Sequence, residues 1–152
     1  MSNEKLAQYH QNHKAFLDVA SRLDAKSVEA SRSEQDWSPA FVLHHVADSE
    51  MHFAIRYFNA LTIEKPAIIP FNEEVYPSIL NYSKRDWRNS RTLIESIGNL
   101  VHTSLSLISD TQWERTSLHP ELGEVSLSML IGKASAHMAA HTEQLNSLGA
   151  HV

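Results

Sequence analysis

The stretch SLSMLIGKASAHMAAHTEQLNSL runs from Ser126 to Leu148 and has a helical pattern. Its apolar side chains recur every three or four residues, as they do on the buried face of an α-helix. Gly149 follows directly and favours the end of a helix. The stretch therefore predicts a long helix with one buried face, formed by Leu127, Leu130, Ile131, Ala134, Met138, Leu145 and Leu148.

Three further stretches have the same apolar spacing and predict long helices. They run from about Asn3 to Glu29, from Pro39 to Leu61 and from about Ser83 to Ile108. Trp37-Ser38-Pro39 marks the start of the second helix, because serine is a good N-cap and proline is tolerated at the first helical position. The chain has only four glycines and five prolines, so these stretches are largely uninterrupted.

Two connections have a recognisable character. Pro66, Pro70 and Pro77 interrupt the segment after the second helix, which predicts a long loop of the kind that is usually functional or poorly ordered. The segment from Thr116 to Val125 predicts a turn or a short hairpin before the last helix. Four long helices with these connections are typical of an all-α four-helix bundle, formed here by a single domain over residues 1–152.

The composition excludes several classes of function. The net charge is −5, and the 13 lysines and arginines are scattered, whereas a nucleic-acid surface needs clustered positive charge. Cysteine is absent, so the chain has no disulfide, thiolate ligand or cysteine nucleophile. The N-terminal segment is polar, and no apolar run is long enough for a membrane span. These features predict a cytoplasmic protein without nucleic-acid or membrane partners.

Histidine is unusually frequent, with ten residues in the chain. His137 and His141 are one helical turn apart at the border of the apolar face of the last helix. Imidazoles at positions i and i+4 lie one above the other and can chelate a single metal ion. Two partly buried structural histidines explain the same spacing, so the pair alone is a weak signal.

The second helix offers a third histidine ligand at one of two positions. His44 lies nearer the apolar side of this helix, which favours it as the residue that points inward. His45 instead belongs to a polar stripe, which is either a solvated face or the lining of a cleft between helices. The other members of this stripe are Asp48, His52, Arg56 and Asn59.

Several motifs together resemble the DinB/YfiT-like superfamily. They are Trp37-Ser38-Pro39, the segment Val42 to Ser49, and His137-xxx-His141-xx-Gln144. The likeness also includes Pro66 to Glu73 and the His119-Pro120 turn, and it extends roughly from Trp37 to Leu148. Within the superfamily, the chain is most similar to the YfiT group of metal-dependent hydrolases, which is similar to the bacillithiol transferases.

The resemblance implies a four-helix bundle that carries a divalent metal ion on His45, His137 and His141. Zn²⁺ or Ni²⁺ with an open coordination position would activate a water or a low-molecular-weight thiol. The implied reactions are hydrolysis, or transfer of the thiol to a small-molecule electrophile. The alternative is a non-catalytic bundle that binds metal or a small molecule and acts as a homodimerisation module.

Two further residues are candidates for catalytic roles. Asp48 lies one turn after His45 and is predicted to orient an imidazole or receive a proton, although a solvated helix acid is the alternative. Gln144, three residues after His141, is predicted to form a hydrogen bond near the metal, with a surface position as the alternative. Because imidazole must be neutral to bind metal, affinity is predicted to fall below about pH 6.5.

The remaining histidines and aromatic residues are assigned less specific positions. His119, in the turn before the last helix, is a candidate to overhang the cleft, and His44 and His52 are predicted to be packing or surface residues. Core positions are predicted for Phe53, Tyr57, Phe58, Trp87 and Trp113.

Overall fold

A computed structural model describes residues 2–31, 33 and 36–149 of the chain. Its four long helices form a bundle, which confirms the predicted fold class. The helices are α1 (Ser2–Ser21), α2 (Pro39–Thr62), α3 (Tyr76–Ile79), α4 (Trp87–Leu105), α5 (Asp110–Trp113) and α6 (Leu127–Gly149). The shorter elements are a 3-10 turn (Tyr82–Lys84) and the strands β1 (Thr116–His119) and β2 (Gly123–Ser126).

Helices α1 and α6 are parallel neighbours. The Lys5 ammonium group donates a hydrogen bond to Ser128 Oγ, and the Asn12 amide donates one to Ser135 Oγ, each at 3.0 Å. The two bonds are seven residues apart on both helices and follow the same order, so the helices run in the same direction.

Helices α2 and α4 run opposite to the first pair. On α2 and α6, His45 contacts His141 while Phe53 contacts His137, so the residue numbers progress in opposite directions. On α1 and α4, His10 stacks on His102, whereas His13 lies against Gly98. Helices α2 and α4, which pack against each other, are therefore parallel to one another.

Because α2 and α4 are parallel, the chain must run back along the whole of α2 before α4 begins. Helix α2 has 24 residues, which span about 36 Å at 1.5 Å per residue. The chain must cover that length again before α4 can start beside the beginning of α2. Residues 63–86, here called the crossover, make this return along α2: Ile69 accepts a hydrogen bond from Arg56, and Phe71 stacks on His52. The predicted long loop therefore lies against the helix.

The first helix is shorter than predicted. Helix α1 ends at Ser21, whereas the apolar spacing predicts a helix to Glu29. The residues after Ser21 form turns because Val28 is fully buried and its carbonyl accepts a hydrogen bond from Ala40 N at 2.8 Å. This segment therefore packs against the start of α2. Its buried apolar residue continues the apolar spacing of α1 in the sequence although the backbone is not helical.

The third predicted helix, Ser83–Ile108, is also too long. Helix α4 spans Trp87–Leu105, and its N-cap is Asp86, whose side chain accepts a hydrogen bond from Arg88 N. The preceding residues form the 3-10 turn Tyr82–Lys84 instead.

The second helix, the hairpin and the last helix agree closely with the sequence. Ser38 caps α2 by accepting a hydrogen bond from Phe41 N, and β1 pairs antiparallel with β2. The last helix includes Gly149 as its final described residue, so the prediction that glycine follows the helix is wrong by one position. His151 lies outside the described residues.

The core runs along the bundle in two apolar clusters. Trp87, Trp113 and Tyr57 are buried in it as predicted, and Phe53 and Phe58 pack against it half-buried. No helix of the described residues is long and apolar enough to cross a membrane.

Candidate metal centre

Three histidines from two helices converge between α2 and α6. His45 Nε2 lies 3.0 Å from His137 Nε2, which lies 3.1 Å from His141 Nε2. One nitrogen from each ring lies within 4.8 Å of the other two. We call this set the three-histidine cluster.

The secondary structure explains this convergence. His137 and His141 are one turn apart on α6, and both rings therefore project from the same side of the helix. His45 is contributed by the antiparallel helix α2 and is only 2% exposed. The structure thus brings together the three histidines that the resemblance implies. His44, the alternative on α2, lies elsewhere.

The cluster fits a divalent metal ion. A tetrahedral ion with bonds of about 2.05 Å to imidazole places its nitrogen ligands about 3.3 Å apart. Two of the three separations, 3.0 and 3.1 Å, are close to this value, and the third is within 4.8 Å. Without an ion, the two neighbours of His137 Nε2 compete for one proton. A neutral imidazole has a single N–H group, so it can donate to only one of them. A cation satisfies all three nitrogens at once.

The imidazoles are held in the form that binds metal. Burial lowers the pKa of His45 to about 4 and that of His137 to about 3, and the neighbouring imidazoles add to both shifts. Burial also lowers the pKa of His141. The rings are therefore neutral at pH 7, with free lone pairs for a ligand bond.

Gln144 supports one of the rings from outside the cluster. Its Oε1 atom lies 2.7 Å from His141 Nδ1. If His141 Nδ1 carries the proton, it donates this bond to Gln144, and the Nε2 lone pair points toward the cluster. The predicted hydrogen bond of Gln144 near the site is present, although its side chain is exposed.

A cavity of about 420 Å³ opens beside the cluster, and we call it the metal cavity. Trp37 forms part of its wall, with its ring 5.2 Å from that of His45. Glu73 Oε2, on the crossover, lies 3.6 Å from His45 Nε2. Asp36 also lines the cavity. Sequence reasoning missed these three residues as site residues, although two of them belong to motifs that carry the resemblance.

Asp48 does not have its predicted role. Its carboxylate forms a bidentate ion pair with Arg85, at 2.8 to 3.1 Å, and accepts a hydrogen bond from the Tyr82 hydroxyl at 2.7 Å. Within the described residues it forms no hydrogen bond to an imidazole of the cluster. Asp48 is buried, so it is not a solvated acid either. It anchors the end of the crossover to α2.

The other histidine candidates lie away from the metal cavity. His44 is fully buried, and its Nδ1 lies 2.8 Å from Ser90 Oγ on α4. His52 packs on Phe71 and lies 2.8 Å from the Tyr76 hydroxyl. Both are therefore packing residues.

His119 has a structural role in the hairpin. Its Nδ1 accepts hydrogen bonds from two backbone N–H groups of the turn, those of Glu121 and Leu122. It does not line the metal cavity.

The fold and the cluster define a class of protein: a four-helix bundle with three convergent histidines on two antiparallel helices. The model of the DinB superfamily matches residues 8–145, and the chain belongs to this superfamily. The family to which the motifs point is thereby confirmed.

Curated relatives cover most of the chain. A protein of Oceanobacillus iheyensis named "putative metal-dependent hydrolase" is 32% identical over 126 residues, which are 83% of this chain and 73% of the relative. A protein of Bacillus cereus (strain G9842) with the same description is 32% identical over 139 residues, which are 91% of this chain and 78% of the relative.

Solved structures share the fold. YfiT from Bacillus subtilis, described as a probable metal-dependent hydrolase with an unusual four-helix bundle topology, is 23% identical with a TM-score of 0.80. The similarity covers 96% of this chain and 86% of YfiT. A mycothiol-dependent maleylpyruvate isomerase is 18% identical with a TM-score of 0.79. It covers 95% of this chain but only 60% of the isomerase.

Proposed function

We propose that this protein is a metal-dependent enzyme that activates a water or a low-molecular-weight thiol for attack on a small-molecule electrophile. The observation that carries the proposal is the convergence of three imidazole nitrogens at the wall of an open cavity. Three histidine ligands with space for a further ligand are typical of catalytic metal sites, whereas structural sites are closed. The names of the curated relatives support the same conclusion.

His45, His137 and His141 are the proposed ligands. A divalent ion bound there supplies a Lewis acid, which lowers the pKa of a water or thiol so that it reacts near neutral pH. Zn²⁺ and Ni²⁺ are the proposed ions, because imidazole suits both. Gln144 holds the ring of His141 in the orientation that presents Nε2 to the ion.

Glu73 and Trp37 are the proposed substrate-facing residues. The Glu73 carboxylate is next to His45 and is 59% exposed to the cavity and solvent. It is therefore placed to accept the proton that a water or thiol loses on activation. The ring of Trp37 provides an apolar wall for the electrophile. Asp48 has no part in this proposal, because its oxygens are taken by Arg85 and Tyr82.

The two proposed nucleophiles call for parallel assays. Dependence on a thiol is supported by the mycothiol-dependent isomerase, which shares the fold, and hydrolysis is supported by the names of the curated relatives. Protein stripped with a chelator and reloaded with Zn²⁺ or Ni²⁺ is assayed for conjugation of cysteine to a chromogenic aryl halide. The same samples are assayed for hydrolysis of an activated ester.

The proposal predicts metal-restored turnover in one of these assays for the wild type. It predicts a loss of that turnover in His137→Ala and a reduction in Glu73→Gln. Glu95→Gln, which changes an exposed carboxylate on α4, is the matched control and keeps full activity. Equal turnover in the stripped protein or in His137→Ala would refute a metal-dependent mechanism at this site.

A further inference from the structure

A second cavity, of about 200 Å³, lies between α2 and the crossover, and we call it the Arg56 cavity. Arg56 follows His45 by eleven residues on α2, or about 16 Å along the helix axis. His52, stacked on Phe71, lies between these positions. The Arg56 cavity is therefore a separate site, with walls that include Ile55, Pro66, Ile68 and Ile69.

Arg56 is a half-buried cation without a counter-charge. Its guanidinium lies 5.4 Å from the centre of the Phe53 ring, and Nη2 donates a hydrogen bond to the Ile69 carbonyl at 3.2 Å. These contacts fix its position but use one of its five N–H donors. It forms no ion pair with an acidic residue of the described ranges. A cation withdrawn from water in this way gains from a bound anion.

Ser117 provides a second and independent polar group. It is located on β1, lines the same cavity and is only 1% exposed. Its hydroxyl has no hydrogen-bond partner among the described residues. A buried hydroxyl without a partner costs free energy, which a ligand atom in the cavity can recover.

We propose that the Arg56 cavity binds a small aliphatic carboxylate. The carboxylate group pairs with Arg56 and accepts a hydrogen bond from Ser117, and the alkyl chain lies against the isoleucine walls. A cavity of about 150 Å³ holds one benzene molecule, so this cavity accommodates a ligand of about six to eight non-hydrogen atoms. An inorganic oxyanion would leave the apolar walls in contact with water, and it is the weaker ligand.

Titration of metal-free protein tests the proposal without interference from a carboxylate bound to metal. Calorimetry with butanoate, pentanoate and hexanoate is expected to show one saturable site. Affinity should rise about three- to fourfold per added methylene, because each buried methylene contributes a nearly constant increment. Hexan-1-ol and inorganic phosphate are expected to bind at least tenfold more weakly than hexanoate.

Two variants and a control locate the ligand. Arg56→Met removes the charge and keeps the aliphatic stem, and it should weaken hexanoate at least tenfold, whereas Ser117→Ala should weaken it a few-fold. Arg22→Met removes a charge from an exposed arginine of the Arg22–Asp18 pair and should leave binding unchanged. Amide chemical shifts in the wild type should move at Ile55 and Ile69.

Three results would overturn the proposal. They are equal binding of hexan-1-ol and hexanoate, normal hexanoate binding by folded Arg56→Met, and chemical shifts that move elsewhere. The chemical-shift readout uses the wild type, so it decides the location even if Arg56→Met does not fold. Loss of the proposed enzymatic activity would not bear on any of these measurements.

Discussion

Helix α2 contributes to two clusters of buried polar side chains that differ in their access to solvent. The three-histidine cluster borders a cavity of about 420 Å³. The second set, here called the interior cluster, consists of Tyr9, His13, Glu50 and Tyr57 and borders neither of the two cavities described above. Both sets contain histidine, and both contain buried polar atoms without a partner among the described residues.

Two members of the interior cluster are hydrogen-bonded to each other, and a third lies close to them. The Tyr9 hydroxyl donates a hydrogen bond to Glu50 Oε2 at 2.5 Å, and His13 Nε2 lies 3.6 Å from the same oxygen. Burial and the charge of Glu50 raise the pKa of Tyr9, so the hydroxyl keeps its proton and remains a donor. His13 also fills the space beside Gly98, where a Cβ atom would lie 2.2 Å from its ring.

The comparison shows that residue type does not distinguish a ligand from a structural group. In the three-histidine cluster, the nitrogens point at one another and an adjoining space can admit a further ligand. In the interior cluster, one hydrogen bond joins the Tyr9 hydroxyl of α1 to the Glu50 carboxylate of α2, and no cavity described here adjoins it. We therefore expect the first cluster to determine metal binding and the second to determine stability.

The largest effect is expected for His137→Ala, since His137 Nε2 lies between the other two nitrogens of its cluster. Two imidazoles remain in this variant, and metal affinity should fall by more than the 10- to 100-fold typical of losing a supporting partner outside the ligand shell. Competition with a chromogenic chelator measures this change. Glu50→Gln, which retains an acceptor for Tyr9, should bind metal like the wild type. Tight binding by His137→Ala would show that the three-histidine cluster does not hold the metal.

Glu50→Ala tests the other half of the comparison. It leaves the Tyr9 hydroxyl buried without its acceptor, so the free energy of unfolding should fall by about 2–3 kcal/mol. Urea unfolding of the metal-free protein measures this change. Exposed Glu95→Ala should stay within about 0.5 kcal/mol of the wild type. If Glu50→Ala lost metal but kept its stability, the assigned roles would be reversed.

The pH dependence of stability has a definite sign. Free histidine titrates near pH 6.5, whereas burial lowers the pKa of His45 to about 4 and of His137 to about 3. Between these values the unfolded chain binds more protons than the folded one, so the metal-free protein should lose stability as the pH falls from about 6.5 toward 4. Thermal midpoints between pH 7 and 5 measure the slope, since carboxylates stay largely ionised there.

His137→Phe should reduce the slope of stability against pH, because it removes one of the histidines with a lowered pKa. An unchanged slope would show that other residues cause the pH dependence. We expect the lowered pKa values of His45 and His137 to move metal loss to a lower pH than the value of about 6.5 that the sequence predicts. An exposed imidazole is protonated near that value, whereas His45 and His137 stay neutral until the pH approaches 4.

The smallest effect is expected for Gln144→Ala. This change removes the hydrogen bond to His141 Nδ1 but keeps all three proposed ligands, and the side chain is exposed. Metal affinity should therefore fall about tenfold, at the low end for partners of this kind. Asn146→Ala, an exposed amide change two residues along α6, is the control. Equal affinities in both variants would show that Gln144 does not position the ring.

The sequence predicts the presence of the four long helices and the pair on α6, because both follow from spacing along a single helix, although it extends two of the helices too far. It leaves the choice between His44 and His45 open. The spacing of residues on α2 places His45 in a polar stripe, and a polar stripe usually faces water. The crossover covers that stripe, and both histidines are buried in the structure.

The parallel packing of α2 against α4 produces the crossover, and no local pattern encodes that packing. Glu73 was missed for the same reason. Its position beside His45 depends on the path of the crossover, which Asp48 and Arg85 anchor.

Metal analysis of two single variants distinguishes the adjacent residues His44 and His45 as the ligand on α2. Purified His44→Ala, His45→Ala and wild-type protein are loaded with Zn²⁺, desalted and analysed for bound metal. We predict about one equivalent for the wild type and for His44→Ala, and little metal for His45→Ala. Metal retained by His45→Ala and lost from His44→Ala would contradict the three-histidine site.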